Sequence, residues 1–154
     1  MLQFRSLNII NAILLIMVSA LLFISCDDTI CSNLYTANVN ISFFDSQSRD
    51  TKTLIVDSVG ALATDSMFYR EDTASLFILP LNSFSDSTVF LFFTGAGTDT
   101  LTVSYQRTID LQSKDCGFTQ IFEQLEVPYS SYPEVIVKSS TLSITNDDDI
   151  EIYY

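Results

Sequence analysis

The sequence predicts an all-β chain: a single antiparallel β-sandwich of about seven to nine short strands behind a cleaved N-terminal signal. Three observations carry that expectation. Short apolar segments with period-two alternation recur from residue 38 onward. No long amphipathic helical pattern interrupts them, and the chain holds four glycines and three prolines as punctuation. The first 25 residues differ in composition from everything that follows, being apolar with one charge.

That N-terminal stretch has the parts of an export signal. Arg5 is the positive residue, Ile9 to Ile24 form the apolar stretch, and Ser25 is a small residue before a cut. A membrane-spanning helix needs about 20 apolar residues. Here Asn8, Asn11 and Ser19 interrupt a shorter run, and acidic Asp27 and Asp28 follow in place of a basic cluster. Leu21-Leu22-Phe23-Ile24-Ser25-Cys26 reads as a bacterial lipoprotein signal, with Phe23 where Leu, Val or Ile is usual. The expected organisation is a signal over residues 1–25, lipidated Cys26 opening a tether over 26–30, and one β-sandwich domain over 31–154.

Cysteine arithmetic agrees with lipidation. Three cysteines are an odd number for an exported chain. With Cys26 modified, Cys31 and Cys116 remain, and an oxidising envelope favours a disulfide between them. It would close a loop of 85 residues (116 − 31) and contribute roughly 4 kcal/mol in the chain-entropy description. The alternative is two free buried thiols. Without Arg5, the mature chain sets six Lys and Arg against 19 Asp and Glu, a net charge of −13. Such a domain is repelled by nucleic acid and anionic lipid, so no nucleic-acid partner is expected and membrane attachment falls to the lipid anchor.

The strands follow in order. Val39, Ile41 and Phe43 alternate with Asn38, Asn40 and Ser42. Leu54-Ile55-Val56 and Leu76-Phe77-Ile78-Leu79 are short apolar runs, the second ended by Pro80. Thr88 to Thr94 is aromatic and β-branched, and Gly95-Ala96-Gly97 ends it as a hairpin turn, not a phosphate loop. Leu101, Val103 and Tyr105 alternate. Phe118 to Val127 is predicted as a strand, although its Ile121-Phe122-Leu125 spacing also suits a helical turn. Pro128 and Pro133 bracket a loop with Tyr129 and Tyr132. Val135, Val137, Leu142 and Ile144 lead into Asn146-Asp147-Asp148-Asp149, and Ile150, Ile152 and Tyr154 alternate after it, a hairpin with a four-residue acidic turn.

Several motifs in sequence resemble an uncharacterised lipoprotein family of Bacteroidota, a domain of unknown function. They are Leu79-Pro80-Leu81-Asn82, Asp99-x-Leu101 leading to Ser104-Tyr105-x-Arg107, Cys116-Gly117-Phe118 before Ile121-Phe122-x-x-Leu125, and the terminal Ile152-Tyr153-Tyr154. The likeness covers nearly the whole mature chain, including the cysteine pair. It departs from the family at Thr36-Ala37, where Thr-Pro is usual. It implies a two-cysteine β-sandwich at the envelope and no activity; some relatives carry calcium-binding names.

Histidine is absent, so neither a Ser-His-Asp arrangement nor an ordinary zinc site can form, and no enzyme, metal or cofactor is expected. Two binding readings stand beside that. Asp147, Asp149 and Glu151 alternate around the acidic turn and could gather calcium, against the plainer reading of solvated turn charges splayed outward. Tyr129 and Tyr132 could meet a sugar or polypeptide, or be partly buried core rings. Six Asp-Ser/Thr-apolar or Asp-Ser-Thr triplets resemble an O-glycosylation signal of exported Bacteroidota proteins and mark Thr29, Ser58, Ser66, Thr73, Ser87 and Thr100. The same pattern arises where Asp ends a turn and a β-former opens a strand. The expected role is a lipid-anchored outer-membrane protein, in either leaflet, binding another envelope protein or a glycan without catalysis.

Overall fold

The computed structural model describes residues 35–62, 64, 67–144 and 147–154, all within the compact unit Cys31–Tyr154. Nine strands are described: β1 (Asn38–Phe44), β2 (Leu54–Ala61), β3 (Met67–Ala74), β4 (Leu76–Pro80), β5 (Ser87–Thr94), β6 (Gly97–Ser113), β7 (Gly117–Ser130), β8 (Glu134–Val137) and β9 (Ile150–Tyr153). They form a four-stranded sheet in the order β4-β1-β9-β8 and a five-stranded sheet in the order β3-β2-β5-β6-β7, the two layers of a β-sandwich. One pairing departs from the antiparallel expectation. β1 and β9 run parallel, Ile41 opposite Ile150 and Phe43 opposite Ile152.

The period-two alternation reads out as burial. Val39, Ile41 and Phe43 of β1, Phe77 and Leu79 of β4, and Phe90 and Phe92 of β5 are fully enclosed. Phe43 lies at the junction of the layers, with its ring edge-on to Phe77, Phe92, Tyr132 and Tyr154 at centroid separations of 5.6–5.8 Å. Each such pair adds about 0.5–1.5 kcal/mol beyond area burial.

The helical-looking spacing of Ile121, Phe122 and Leu125 has a different cause. Gln106 opposes Glu123 and Ser104 opposes Glu126, so Gln124 and Leu125 together oppose Tyr105. Gln124 takes a left-handed backbone (φ 54°) at this β-bulge. The extra residue changes the parity of the strand, and Phe122 and Leu125 both face the core. A second register shift, between Thr102 and Ser104, places Val127 and Pro128 opposite Val103. Pro128 therefore lies inside β7, on the sheet edge, where its missing N–H is tolerated. Tyr129 belongs to the strand and not to the loop.

The last two strands pair antiparallel, but not across a four-residue acidic turn. Val137 opposes Ile150, and twelve residues, 138–149, connect them. This link runs along the outer edge of β7. Leu125 N donates to Ser140 O (3.1 Å), Leu142 N donates to Phe122 O (3.0 Å), and Leu142 is fully buried. Burying Leu142 against the bulged edge outweighs a tight turn.

β6 and β7 outrun the rest of their sheet. Pairing of β5 with β6 stops at Ser87 and Ser104, while the pairing of β6 with β7 continues from Arg107–Phe122 to Ser113–Gly117. The result is a two-stranded arm, closed by a turn in which Gly117 has φ 72°, a conformation that favours glycine. We expect Phe43→Ala to lower the unfolding free energy by about 3–5 kcal/mol, seen as a lower denaturant midpoint at unchanged slope. A loss below about 1 kcal/mol would mean that the ring junction is not central to the core.

Candidate functional site

A cleft of about 530 Å³ opens at the end of the sandwich opposite the arm, lined by Thr53, Ile55, Thr94, Asp99, Tyr132 and Tyr154 among others. Its walls follow from local sequence. Gly95-Ala96 makes the two-residue turn between β5 and β6 that the sequence indicated, with Thr94 opposite Gly97. Ser131 ties the loop after β7 to β6: its N–H donates to Thr100 O (2.9 Å), its hydroxyl donates to Asp99 Oδ1 (2.9 Å), and Thr100 N donates to that hydroxyl (2.9 Å). Tyr154 OH donates to Thr53 O (3.0 Å), and the Lys52 ammonium lies 4.0 Å from the Tyr154 ring centroid. Aromatic faces, hydroxyls and one carboxylate thus converge on the opening.

Two buried tyrosines in this domain differ in one respect. Tyr105 OH donates to Asn82 O (2.9 Å) and lies 2.7 Å from Thr88 Oγ1, which also receives the N–H of Asn82 (2.8 Å). A phenol has one proton, so Thr88 donates to Tyr105 and the network closes. Tyr132, in the cleft wall, has no such partner. Its ring packs edge-on to Phe43, Phe92 and Tyr154, it is 8 % exposed, and its buried hydroxyl oxygen has no hydrogen-bond partner among the described residues. Burial pushes this hydroxyl far above the ordinary phenol range, and the nearby charge of Asp99 and the Tyr154 hydroxyl push the same way. An unpaired buried hydroxyl costs about 1–3 kcal/mol.

The acidic segment is not a splayed, solvated turn. Asp147 is exposed, but Asp149 is fully buried, and its Oδ2 accepts the Asn40 N–H at 2.8 Å. Its own N–H donates to Asn40 O (3.0 Å) and its carbonyl accepts Lys138 N–H (2.8 Å). Asp148 Oδ1 accepts a hydrogen bond from Ser42 Oγ. Glu151 is also buried; it pairs with Lys138 (3.2 Å) and accepts Tyr153 OH (2.9 Å). That hydrogen bond and burial raise the Tyr153 phenol above its usual range. These carboxylates close off the start of β9 and cover its outer face. Among the described residues no group of three or more Asp, Glu, Cys or His side chains is placed to hold a metal ion.

Tyr129 and Tyr132 do not converge, because Tyr129 is exposed on β7 while Tyr132 is in the core. Cys26, Cys31, Thr29 and Ser66 lie outside the described residues. Cys116 sits half-buried in the arm turn, its N–H donating to Ser113 Oγ (3.0 Å). Ser58 is half-buried inside β2, between β3 and β5; Thr100 is half-buried in β6; Thr73 is exposed on edge strand β3; Ser87 is exposed where β5 begins. Among the four described triplets, only Asp86-Ser87 has the arrangement of a turn Asp before a strand start. The orphan hydroxyl of Tyr132 and the burial of Asp149 have no signature in composition or spacing.

The chain belongs to the family of unknown function DUF6452, which it matches over residues 53–154, more than half of its length. No curated protein and no solved structure matches it.

Tyr132→Phe removes the unpaired hydroxyl and keeps the ring. We expect it to raise the unfolding free energy by about 1 kcal/mol. It should also flatten the alkaline arm of the stability profile. A phenol raised on folding contributes its full stabilisation below the unfolded value of about 10, and loses it as pH climbs above that value. Denaturation of both proteins between neutral and strongly alkaline pH checks both statements; a destabilised Phe variant would show that the hydroxyl is satisfied.

Proposed function

We propose that the mature chain is a lipid-anchored protein of the outer membrane that binds a neutral glycan in the Tyr132 cleft and acts without catalysis. The observation that carries this reading is the Tyr132 hydroxyl. The hydroxyl is enclosed behind the cleft wall, so on this reading a ligand hydroxyl reaches it by displacing the neighbouring Tyr154 ring and supplies the partner it lacks. The surroundings favour a hydroxyl-rich, uncharged ligand. Tyrosine rings offer apolar faces, the Asp99 carboxylate accepts hydrogen bonds from hydroxyls and disfavours anions, and Thr53 and Thr94 add polar groups. An envelope protein presenting a side chain to the same cleft is the competing occupant.

Anchoring rests on the sequence of residues 1–31. The apolar stretch up to Ile24, Ser25 before Cys26, and the odd cysteine count support residues 1–25 as a cleaved lipoprotein signal and Cys26 as the attachment point. The pairing of Cys31 with Cys116 is supported by the disulfide-bonded state of Cys116, whose partner sulfur lies outside the described residues. The resemblance to Bacteroidota lipoproteins supports the same location. Exposed Thr73 and Ser87 are the described triplet positions that a bulky glycan could occupy without opening the core.

Two measurements test this. Cys26→Ala should abolish incorporation of labelled fatty acid in a lipoprotein-processing host and leave uncleaved precursor; normal processing would point to an ordinary secretory signal. The detergent-solubilised full chain, applied to an array of neutral glycans, should retain a subset. Tyr132→Phe and Asp99→Asn should each weaken that retention about tenfold, as expected for loss of one hydrogen bond worth about 1.4 kcal/mol. Retention of no glycan, or retention indifferent to both substitutions, would remove the cleft as a glycan site.

A further inference from the structure

The two ends of the sandwich differ in chemistry. Among the described residues eight large apolar side chains are more than half exposed: Ile55 lies at the cleft end and Tyr129 opposite Thr102, while the other six, Leu62, Phe84, Ile109, Leu111, Phe118 and Ile144, lie toward the arm end. The ladders show why. Leu62 N donates to Val89 O, near the start of β5; Phe84 belongs to the loop between β4 and β5; Ile144 follows Leu142, which bonds to Phe122 at the base of the arm. Ile109, Leu111 and Phe118 belong to the arm itself. Leu111 opposes Phe118, and Ile109 is two residues from Leu111, so all three share one face. The base of that face is pinned by Arg107, whose Nε donates to Asp86 (2.7 Å) and whose Nη1 donates to Ser83 O (2.8 Å). Gln120 Nε2 donates to the same carbonyl (3.3 Å).

The described chain also begins at this end. Ala37 O accepts the N–H of Leu81, in the loop beside Arg107 and Gln120. Tyr35 is nine residues from Cys26 (35 − 26), a reach of at most about 30 Å at full extension. Cys116, disulfide-bonded, is in the turn of the arm, and Cys26 and Cys31 are the other cysteines of the chain. With the Cys26 sulfur taken by the lipid thioether, Cys31 is the partner left, and its bond to Cys116 would hold the segment that carries the lipid at the tip of the arm.

We infer that the β6–β7 arm is a membrane-contact element, its Ile109, Leu111 and Phe118 face resting in the interfacial layer of the bilayer that holds the Cys26 lipid. This inference rests on the lipid-anchor reading above. It explains why a two-stranded extension, which gains little from its own pairing, presents apolar side chains to solvent near the chain's point of exit. It also explains why a strongly acidic domain gathers most of its exposed apolar side chains toward one end. An apolar contact works where the net charge opposes approach to headgroups. The cleft then faces away from the bilayer, toward ligands in the aqueous phase.

The chain has no tryptophan, so single substitutions report cleanly. Phe118→Trp and Ile109→Trp place a fluorophore on the arm, and Ile55→Trp places one at the cleft end, all at exposed positions. The full lipidated chain is reconstituted into phosphatidylcholine vesicles with brominated acyl chains. Both arm reporters should lose most of their emission and shift to the blue, while Ile55→Trp keeps its emission and its quenching by aqueous acrylamide. Arm reporters left unquenched by bromine and open to acrylamide would overturn the inference. So would arm reporters already shielded without vesicles, whether by a second copy at rising concentration or by the chain's own N-terminal segment. Fatty-acid labelling of the same samples separates the two failures. Labelled protein with unquenched arm reporters sinks the arm alone, whereas unlabelled protein sinks the anchor reading.

Discussion

Insertion of β9 between β1 and β8 holds the four-stranded sheet together, because neither flanking strand pairs with the other. The sheet is therefore incomplete until β9 takes its place. Ile150 and Ile152 fill the core from this position, while Glu151 and Tyr153 point the other way and are still buried, beneath Lys138, Arg49 and Phe44. Asp149 prepares the entry. Its carboxylate and backbone both bond to Asn40, so the polar edge of β1 just ahead of β9 is satisfied by one residue. Because β1 and β9 are more than a hundred residues apart, the sheet is built from non-local pairing, which slows folding relative to local hairpins.

Two kinds of polar burial coexist in this frame. Around Tyr105 the donors and acceptors of Asn82, Thr88 and the phenol match, and Arg107 ties the same loop to β6. That network fixes the loop between β4 and β5 against the arm. Around Tyr132 no match exists. The residues on which the family resemblance rests fall largely in the first class: Asn82, Tyr105 and Arg107 form the network, Phe122 and Leu125 flank the bulge, and Ile152, Tyr153 and Tyr154 finish the inserted strand. They define how this chain folds. At the other end, in the wall of the proposed binding cleft, Tyr132 keeps a buried hydroxyl with no hydrogen-bond partner among the described residues.

The layered all-β architecture was legible because alternation survives in the strands that bury one face, notably β1, β5 and the first half of β6. Three features were not legible, each for a physical reason. β3 (Met67–Ala74) is an edge strand with Arg70, Glu71 and Asp72 and no fully buried side chain, so hydrophobic periodicity has nothing to report. In β7, which the sequence predicts as a strand, the bulge at Gln124 turns a period of two into an apparent spacing of three that equally suits a helical turn, so the bulge itself stays hidden. Between β8 and β9, Leu142 belongs to the edge of the other sheet, so a segment that reads as part of a hairpin crosses the sandwich. The candidate site was half visible. Tyr132 stood out as an aromatic near prolines, but its missing partner is a property of three-dimensional packing alone.

The bulged edge of β7 has a consequence for how such molecules behave when crowded. A sheet edge with free N–H and C=O groups is a template for a strand from a neighbouring chain. Here β7 carries two register shifts and Pro128, and the segment Ser140–Leu142 lies along it. The opposite edge, β3, presents Arg70, Glu71 and Asp72, with Glu71 in a left-handed conformation that breaks the ladder (φ 47°). The outer strands of the smaller sheet, β4 and β8, are five and four residues long. Pairing with a neighbouring copy through an added strand is therefore disfavoured at each of the four described edges. Recognition by an added strand is suppressed with it, which leaves side chains and clefts as the surfaces through which this domain can be addressed.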